Sequence, residues 1–589
     1  MKLSGKAVSK GVAIGPVLRY EPFRAVVSEV LLEDGQTPQA LAQYDGTKLR
    51  ARQELDALEA RLLASDPDKA KIISAHREIL FDPAMEEEIR DLITQAHASP
   101  DFAIAQIYET YAEVLECSKS EKMRERAADL RDVKRRLLRC WSGVPERSLS
   151  ALPGPVIVVT DDLYPSDTAA IDRANVLGIV TQVGGGTSHT AIIARSYGIP
   201  AILGVESAME RLRDGETVIL DAAAGEVLTA PTREELSQYR EKARQVAARL
   251  RETKTYLDTE PITRDGTRVA VRLNVASAGS SELEGAAHTD GCGLFRTEFL
   301  FLKGEHLPDE EEQYQTYTKV LRAFGGKPVV LRTMDIGGDK QLPALALPKE
   351  DNPFLGVRGV RLSLDKIDLF RTQARAALRA SVHGDLKIML PMVGALDEVR
   401  KAKAVFAEEG ASLDAQGIPW NHKLPIGIMV EIPSIALIAD LVADEVDFVS
   451  VGTNDLTQYL CAADRMNPAV RVYYQDYHPA VFRLLGHLAA TFSAAGKNVS
   501  VCGELGGDPL AIPALVGLGI RTLSMGLGSV AGAKRVLRGL ELAKAVELAA
   551  QMQKMKTAAE IFDLLTNFAD SGNQEGGNCN VQERDQGDQ

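Results

Sequence analysis

One stretch decides how the whole chain is read: Gly184-Gly185-Gly186-Thr187-Ser188-His189-Thr190-Ala191-Ile192-Ile193-Ala194-Arg195, a glycine loop that runs into an apolar segment. Residues 176–181 before it have the composition of a buried strand, and residues 191–197 predict a short helix bounded by Gly198 and Pro200. His189 is therefore predicted at a helix N-terminus. Glycines allow backbone N–H groups to converge, and the first helical turn adds unpaired donors and the positive end of the helix dipole. The stretch predicts a phosphate-binding site.

His189 is a candidate for covalent chemistry because a neutral imidazole, with an ordinary pKa of about 6.5, is a nucleophile near neutral pH. The stretch is thus consistent with a phosphohistidine. It is equally consistent with a histidine that only caps a helix beside a tight turn, since glycine loops occur in many unrelated proteins. The rest of the chain decides between these two interpretations.

Residues 1–32 and 144–231 are predicted to form one β/α domain that contains the glycine loop. Short apolar runs cut by glycine at residues 7–18 indicate strands that need a partner sheet. The sheet continues in the apolar runs at residues 156–159 and 176–181, and residues 217–220 and 226–228 flank Ala224-Gly225 as a hairpin.

Residues 33–143 are predicted to be a helical insertion in this domain. Glycine and β-branched residues thin out there, and leucines recur at helical spacing, as in Leu55, Leu58, Leu62 and Leu63. From the residues alone, the insertion is either a scaffold or lid, or a docking surface for another protein.

Residues 232–260 predict a long, charged helix. It opens with the capping box Thr232-Arg233-Glu234-Glu235 and ends before Pro261. The helix is interpreted as a linker between two large modules, with a peripheral helix of the second module as the alternative.

Residues 261–570 repeat a strand-then-helix pattern that predicts a (β/α)₈ barrel of the TIM type, because eight such units in about 300 residues have the count and length of that fold. The strand candidates are residues 269–273, 292–296, 328–332, 387–391, 426–431, 446–452, 499–503 and 521–525. The fold class is therefore an α/β multidomain protein. Residues 571–589 are rich in Gly, Asn, Gln and charge, and we predict a disordered tail there.

Polar residues collect at the C-terminal ends of the predicted barrel strands, where the chemistry of such barrels lies. They are Asn274, Arg296, Arg332, Glu431, Asn454, Asp455, Cys502 and Glu504, with Lys340 and Arg465 in loops after the third and sixth strands. Arginines hold phosphate and carboxylate groups through fork-shaped contacts, and Glu431 with Asp455 can bind Mg²⁺ through oxygen. Any one arginine is also explained as a surface ion pair, but several at one rim predict a small, highly anionic substrate.

The overall composition excludes several classes of partner. The net charge of −14 disfavours nucleic acid and anionic membrane surfaces, and no run approaches the roughly 18 apolar residues of a membrane span. Residues 1–16 lack the apolar core of a signal peptide, so the prediction is a cytoplasmic protein. The six cysteines have neither paired nor metal-ligand spacing, which argues against a disulfide framework or a zinc site.

Specific motifs mark the glycine loop and the barrel rim. They are Gly185 to Arg195 around His189, Leu294-Phe295-Arg296-Thr297-Glu298-Phe299-Leu300, Arg332-Thr333-Met334-Asp335-Ile336-Gly337-Gly338-Asp339-Lys340, Asn352-Pro353-Phe354-Leu355-Gly356, Gly427-Ile428-Met429-Val430-Glu431-Ile432-Pro433, Gly452-Thr453-Asn454-Asp455-Leu456-Thr457-Gln458-Tyr459, Asp464-Arg465-Met466-Asn467-Pro468 and Val501-Cys502-Gly503-Glu504. With these motifs the chain resembles Enzyme I of the bacterial phosphoenolpyruvate-dependent sugar phosphotransferase system, a phosphoenolpyruvate-protein phosphotransferase. The resemblance covers nearly all of residues 1–570.

The resemblance assigns roles to residues at matching positions. It implies that His189 is phosphorylated, that Cys502 is the proton donor, and that Glu431 and Asp455 hold Mg²⁺. The residues taken to bind phosphoenolpyruvate are Arg296, Arg332, Asn454 and Arg465, with Lys340 and Asp455 as further candidates at the rim. The helical insertion then looks like the docking surface for the small phosphocarrier HPr, and the barrel looks like the domain that forms a homodimer.

The resemblance implies a reaction in which His189 takes the phosphoryl group of phosphoenolpyruvate, releases pyruvate and passes the group to a histidine of the carrier. One departure concerns Gly186, where the family commonly has arginine, so rate or partner choice is expected to differ. Two alternatives stay open: an enzyme like phosphoenolpyruvate synthase or a dikinase, which would need a large nucleotide-binding domain, and a catalytically silent regulatory paralogue.

Overall fold

The computed structural model describes residues 2–579 apart from residues 10, 26, 28, 30, 34, 66, 118–120, 146–148, 150, 151, 153, 170, 173, 185–188, 303–305, 338–344, 346 and 349. The chain divides into two compact units, residues 1–249 and residues 250–589. No helix within the described residues is both long and apolar enough to span a bilayer.

The strands fall into two groups, one in each unit. In the first unit they are β1 Lys2–Ser4, β2 Lys6–Ser9, β3 Val12–Arg19, β4 Val156–Thr160, β5 Val176–Thr181, β6 Ala201–Leu203, β7 Thr217–Asp221 and β8 Glu226–Thr229. In the second they are β9 Ala270–Val275, β10 Cys292–Arg296, β11 Val329–Arg332, β12 Leu386–Leu390, β13 Ile426–Val430, β14 Val449–Val451, β15 Val499–Val501 and β16 Thr522–Met525.

The α-helices follow the same division, with α9 crossing from the first unit into the second. The first nine are α1 Thr37–Ser65, α2 Pro67–Leu80, α3 Pro83–Thr94, α4 Pro100–Glu116, α5 Glu121–Trp141, α6 Pro165–Ala169, α7 His189–Tyr197, α8 Ala208–Arg211 and α9 Arg233–Thr255. The next seven are α10 Ser280–Leu283, α11 Glu298–Leu302, α12 Glu310–Ala323, α13 Val360–Asp365, α14 Ile367–Ala380, α15 Leu396–Ala415 and α16 Pro433–Leu437. The last seven are α17 Ala439–Ala443, α18 Thr453–Cys461, α19 Pro479–Ala494, α20 Ile512–Gly517, α21 Leu527–Gly539, α22 Leu542–Met552 and α23 Ala558–Cys579.

The first unit combines a mixed sheet with a group of helices. The strand order is β1-β8-β7-β3-β4-β5-β6-β2, in which β3, β4, β5 and β6 are parallel neighbours. The connection from β3 to β4 contains α1 to α5, which pack around their own apolar core. The predicted hairpin is present, since β7 and β8 pair antiparallel across the turn at Gly225.

Local sequence signals explain where several helices begin. Before α9, the Thr232 N–H donates to Glu235 and the Glu235 N–H donates to Thr232 Oγ1, which is the predicted capping box. Asp309 and Glu312 form the same reciprocal pair at the start of α12. These bonds satisfy backbone donors that a helix N-terminus leaves unpaired.

The second unit contains a closed barrel of eight parallel strands, β9 to β16 in chain order, which confirms the predicted fold class. Each predicted strand matches an observed one, although several observed strands are shorter; the run predicted at 446–452 forms a strand only at Val449–Val451. The strands alternate with helices, and Val, Ile, Leu and Phe side chains of both fill one continuous core. The barrel thereby brings the C-terminal ends of all eight strands to one rim.

Two helix ends differ from the sequence predictions. Helix α9, which was interpreted as a linker, ends at Thr255, before the predicted end at residue 260. The last helix, α23, runs to Cys579 and so continues past residue 570, where a disordered tail was predicted to begin. Residues 580–589 of that predicted tail lie outside the described residues.

Candidate active site

The barrel rim gathers most of the predicted site residues. Arg296 and Arg332 end β10 and β11, Glu431 follows β13, and Cys502 follows β15. Asn454 and Asp455 occupy the first turn of α18, which starts directly after β14 and Gly452. The fold thus converts separate sequence motifs into one polar cluster.

Arg332 lies at the centre of a buried cluster of carboxylates. Its Nη2 donates to Glu298 Oε1, its Nη1 lies 3.1 Å from Asp335 Oδ2, and the same Nη1 lies 4.0 Å from Glu431 Oε1. Burial disfavours the charged guanidinium, but the three carboxylates outweigh it and raise the pKa of Arg332. Arg332 therefore remains a cation at the rim.

Arg358 is a site residue that the sequence analysis did not select. Its Nε and Nη2 lie 3.3 and 3.2 Å from the two Asp335 oxygens, and its Nη1 lies 3.3 Å from Asp455 Oδ1. Asp455 is also approached by Arg465, whose Nη1 lies 3.4 Å from Oδ2. Arg358 sits in the segment before α13 rather than at a strand end, so the strand-end rule could not find it.

Asp335 and Glu298 were also missed, although both lie inside motifs that carried the family resemblance. Both side chains are buried, at 2% and 1% exposure. The available signal was an acidic residue set between apolar neighbours, as Asp335 is between Met334 and Ile336. Because charged residues are almost never buried without a partner, this pattern predicts ion pairing.

Glu431 is one of the most buried residues at the rim, with 1% of its surface exposed. Its Oε2 accepts a hydrogen bond of 2.8 Å from the backbone N–H of Met392, a residue with a left-handed φ of 54°. Burial, with Asp455 and Asp335 nearby, raises the pKa of Glu431 well above its ordinary value, against the opposing effect of Arg332 and Arg358. The carboxylate is thus placed where added positive charge would stabilise it.

Cys502 also belongs to the cluster and lies directly after β15. The thiol is 2% exposed, its Sγ lies 3.6 Å from the backbone oxygen of Val451, and burial raises its pKa to about 11. The turn that follows is fixed by Asn454, whose Oδ1 accepts from the Glu504 N–H at 3.0 Å. Cys502 is therefore a protonated thiol at neutral pH.

Several buried polar atoms at the rim have no hydrogen-bond partner among the described residues. They are Arg332 Nε, Thr333 Oγ1 and Thr453 Oγ1. Buried polar groups in native proteins are nearly always satisfied, so such a group calls for a ligand, an ion or water. In the described part of the chain, no group of three or more His, Cys, Asp or Glu side chains is arranged to hold a metal by itself.

The structure places the remaining predicted residues as follows. Arg296 is half-buried at the end of β10, and its charge acts on the Cys502 thiol to oppose the rise in its pKa. His189 is the first residue of α7, in the first unit, as the sequence predicted for its backbone. Lys340, the Gly185–Ser188 part of the glycine loop and the side chain of His189 lie outside the described residues.

Comparison with known proteins identifies the class. Residues 250–542 match the family model "PEP-utilising enzyme, PEP-binding domain", residues 152–225 match "PEP-utilising enzyme, mobile domain", and residues 4–126 match "PEP-utilising enzyme, N-terminal". With a barrel rim built from paired arginines and carboxylates, the chain belongs among the phosphoenolpyruvate-utilising enzymes.

Three relatives narrow the class to one family. A phosphoenolpyruvate-protein phosphotransferase of Priestia megaterium is 42% identical over 544 residues, with 92% of this chain and 94% of the relative covered. Those of Bacillus sp. (strain S) and Bacillus subtilis (strain 168) are 40% and 39% identical, each over 95% of this chain and over 96% and 98% of the relative. The chain is a member of the phosphoenolpyruvate-protein phosphotransferase family, which confirms the predicted family and enzyme class.

A solved structure is similar to part of the chain. It is an NMR solution structure of Enzyme I (nEIt), 33% identical, with a TM-score of 0.39 and coverage of 42% of this chain and 99% of that one.

Proposed function

We propose that this protein transfers the phosphoryl group of phosphoenolpyruvate to His189 and then to a histidine of an HPr-type phosphocarrier, with release of pyruvate. The observation that carries the proposal is the charge arrangement at the rim. Arg332 and Arg358 are buried there, with Arg296 and Arg465 beside them, and each of the two buried arginines contacts more than one carboxylate. A ligand with a phosphate and a carboxylate suits such paired arginines.

The charges also support the proposed magnesium requirement. Four arginines (Arg296, Arg332, Arg358 and Arg465) lie at the same rim as four carboxyl groups (Glu298, Asp335, Glu431 and Asp455), so before any ligand enters the cluster is close to neutral, and slightly positive while Glu431 is protonated. A substrate with several negative charges would leave an excess of negative charge, and a divalent cation offsets it. Glu431 and Asp455 would hold Mg²⁺, which usually takes one or two carboxylates and completes its shell with substrate oxygens and water.

In the proposed first step, neutral His189 attacks phosphorus, the N–P bond forms, and the bond from phosphorus to the enol oxygen breaks. Arg296, Arg332 and Arg465 hold the transferring and carboxylate oxygens, while Arg358 fixes Asp335 and Asp455. Asn454 and Lys340 are assigned to substrate binding with them. When bound, Mg²⁺ supplies neutralisation of the charge on the phosphoryl group.

In the proposed second step, the S–H bond of Cys502 breaks and a C–H bond forms at the methylene carbon of the enolate, which gives pyruvate and a thiolate. A thiol with its pKa raised to about 11 is protonated before this step, as a proton donor must be. The thiolate regains its proton from water before the next turnover. One histidine serves both the rim and the carrier, so the reaction requires the two units to move relative to each other.

Exposed apolar side chains support a partner surface in each unit. Helix α1 exposes Leu49 and Leu63 at 54% and 56%, and Phe81, directly after α2, is 40% exposed, which supports docking of the carrier on the helical insertion. On the barrel, Leu437 and Val472 are 71% and 70% exposed, which supports a homodimer through this unit. The cytoplasmic location remains a prediction.

The test is incubation of the full chain with phosphoenolpyruvate and Mg²⁺, with and without HPr-type carriers, followed by intact mass measurement. The expected result is one acid-labile phosphoryl group without ATP, transferred to the carrier when it is added. His189→Ala should abolish labelling, whereas His422→Ala, on an exposed loop of the barrel unit, should not. A requirement for ATP would indicate the synthase or dikinase alternative, and absence of labelling would indicate a silent paralogue.

A further inference from the structure

Asn274 is a sequence-predicted rim residue to which no role has been assigned, yet both the donor and the acceptor of its side-chain amide form hydrogen bonds. Its Nδ2 donates to the backbone oxygen of Cys502 at 3.0 Å, and its Oδ1 accepts from Ser524 Oγ at 2.5 Å. Ser524 is completely buried, and Cys502 is 2% exposed. Asn274 on β9 therefore reaches past Ser524 on β16 to the residue that follows β15.

The chemistry of the two partners fixes the orientation of the amide. The Cys502 carbonyl oxygen only accepts hydrogen bonds, so the atom facing it must be the donor Nδ2. The Ser524 hydroxyl then donates to Oδ1. The opposite orientation would place two oxygens against each other at Cys502 and would lose one bond.

The peptide groups of Cys502 are held from two sides. On one side, the Cys502 N–H donates to the Val451 oxygen of β14 at 3.1 Å. On the other side, the Cys502 carbonyl accepts from Asn274. With both backbone groups fixed, the direction of the Cα–Cβ bond is set, and the thiol retains one torsion.

The barrel interior makes room for this arrangement at Gly293 on β10. A Cβ atom at position 293 would lie 2.3 Å from Ser524 Oγ and 2.6 Å from Ser524 Cβ, which is closer than such atoms approach. Glycine is therefore required there for Ser524 to stay in place. The hydrogen bond to the Cys502 carbonyl oxygen therefore depends on three strands: β9 supplies Asn274, β16 supplies Ser524, and β10 leaves space at Gly293.

We propose that Asn274, held by Ser524, is a positioning residue that aims the Cys502 thiol at the carbon it protonates. The inference rests on the proposed role of Cys502 as proton donor. Asn274 transfers no proton itself. It acts because a displacement of about 1 Å at a reacting group costs roughly 100-fold in rate, and because residues that orient a reacting group typically contribute 10-fold to 100-fold.

The experiment measures two half-reactions in the full chain: pyruvate formation from phosphoenolpyruvate with saturating carrier, and phosphoryl exchange between phosphorylated protein and carrier. Asn274→Asp is the main variant, because it has the same shape and still accepts from Ser524 but, when ionised, cannot donate to Cys502. We expect it to lower kcat for pyruvate formation about 10-fold or more, with KM for phosphoenolpyruvate and the exchange rate within twofold of the parent.

Further variants separate positioning from general structural damage. Asn274→Ala should match Asn274→Asp, while Ser524→Ala should have a smaller effect in the same direction. Ser277→Ala is the matched control, since Ser277 lies three residues along the chain and, among the residues the structure describes, its hydroxyl hydrogen-bonds to Glu282 and to the Gly279 N–H; the kcat of this variant should stay at the parent value.

Different outcomes reject different claims. Parent kcat in Asn274→Asp, or a raised KM with unchanged kcat, would overturn the positioning role. Loss of carrier exchange in Asn274→Asp would overturn it as well, since that half-reaction does not use the thiol. Pyruvate formation at the parent rate in Cys502→Ala would instead reject Cys502 as proton donor, whatever Asn274 does.

Discussion

Arg358 Nη1 lies 3.3 Å from Oδ1 of Asp455, and these two side chains are 3% and 10% exposed. The pairing joins an arginine of the segment before α13 to an acidic residue in the first turn of α18. Since the same guanidinium also contacts both oxygens of Asp335, its fork holds two carboxylates at once. A carboxylate fixed in this way presents its other oxygen in a defined direction, which a metal ligand requires.

The first prediction concerns this fork. Arg358→Lys should lower kcat/KM for phosphoenolpyruvate by about 10-fold or more, because an ammonium group cannot contact Asp335 and Asp455 together. The measurement is pyruvate formation across a range of Mg²⁺ concentrations. Arg361→Lys is the control, since Arg361 lies outside the buried cluster and contacts the Leu355 and Gly356 oxygens and Glu398. Equal losses in both variants would contradict the prediction.

The second prediction concerns the metal. Glu431→Gln and Asp455→Asn should each raise the Mg²⁺ concentration needed for half-maximal labelling of His189 by about 10-fold or more, because each removes one of two charged oxygen ligands. Excess chelator should stop labelling of the parent protein. Glu398→Gln should behave like the parent, since Glu398 serves the N-terminus of α15 through the Gly394 and Ala395 N–H groups. Unchanged Mg²⁺ dependence in Glu431→Gln would remove Glu431 from the metal site.

The sequence predicted the barrel well because its information is local and repeated. Each strand is a short apolar run followed by a helix, and a residue at a strand end must lie at the rim of a closed parallel barrel. Arg332, Glu431 and Cys502 were found in this way. Asn274 was also found in this way. Its role depends on Ser524, and the sequence alone does not show that this partner comes from the neighbouring strand β16 and not from β10.

The residues that were missed depend on contacts between distant segments. Arg358 is 97 positions from Asp455, and Glu298 is 34 positions from Arg332. Neither Arg358 nor Glu298 is at the end of a strand, and a lone charged residue in a loop is normally exposed. Strand bounds were less accurate than strand number, since an apolar run such as residues 446–452 continues beyond the hydrogen-bonded ladder at Val449–Val451.

The third prediction concerns thiol reactivity. Iodoacetamide at pH 7.5 should modify exposed Cys117 at least 10-fold faster than Cys502, because the thiolate is the reactive form and burial raises the pKa of Cys502 to about 11. Raising the pH should increase the Cys502 rate, since its thiolate fraction grows as pH approaches the pKa. Peptide mass spectrometry over time gives both rates. Faster modification of Cys502 than of Cys117 at pH 7.5 would show that the thiol is neither buried nor protonated.

The last prediction concerns Asp132, a buried carboxylate that forms an ion pair with Arg135 within α5 and a hydrogen bond with Ser166 of α6. Asp132 on α5 is 1% exposed; its Oδ2 accepts from the Ser166 N–H at 2.8 Å, and its Oδ1 accepts from Arg135 Nη2 at 2.9 Å. Burial alone would raise the pKa of Asp132, but Arg135, His76 and the Ser166 N–H outweigh it and lower the pKa. Ser166 belongs to α6, next to β4 in the chain, so Asp132 holds two parts of the unit together.

Asp132→Asn should lower the free energy of unfolding of the first unit by about 3 kcal/mol at pH 7, because it leaves Arg135 buried with only part of its charge balanced. Glu21→Gln is the control: it breaks an ion pair of similar length, 2.7 Å to Arg19, but Glu21 is 62% exposed and the loss should stay below about 1 kcal/mol. Urea unfolding of the full chain, followed by a probe in the first unit, measures both. Since a carboxyl with a lowered pKa stabilises the fold above its ordinary pKa of about 3.9 and loses that effect as pH falls, the difference between Asp132→Asn and the parent should shrink below about pH 4. A difference that stays constant into acid, or one no larger than that of Glu21→Gln, would mean that Asp132 carries no stabilising charge.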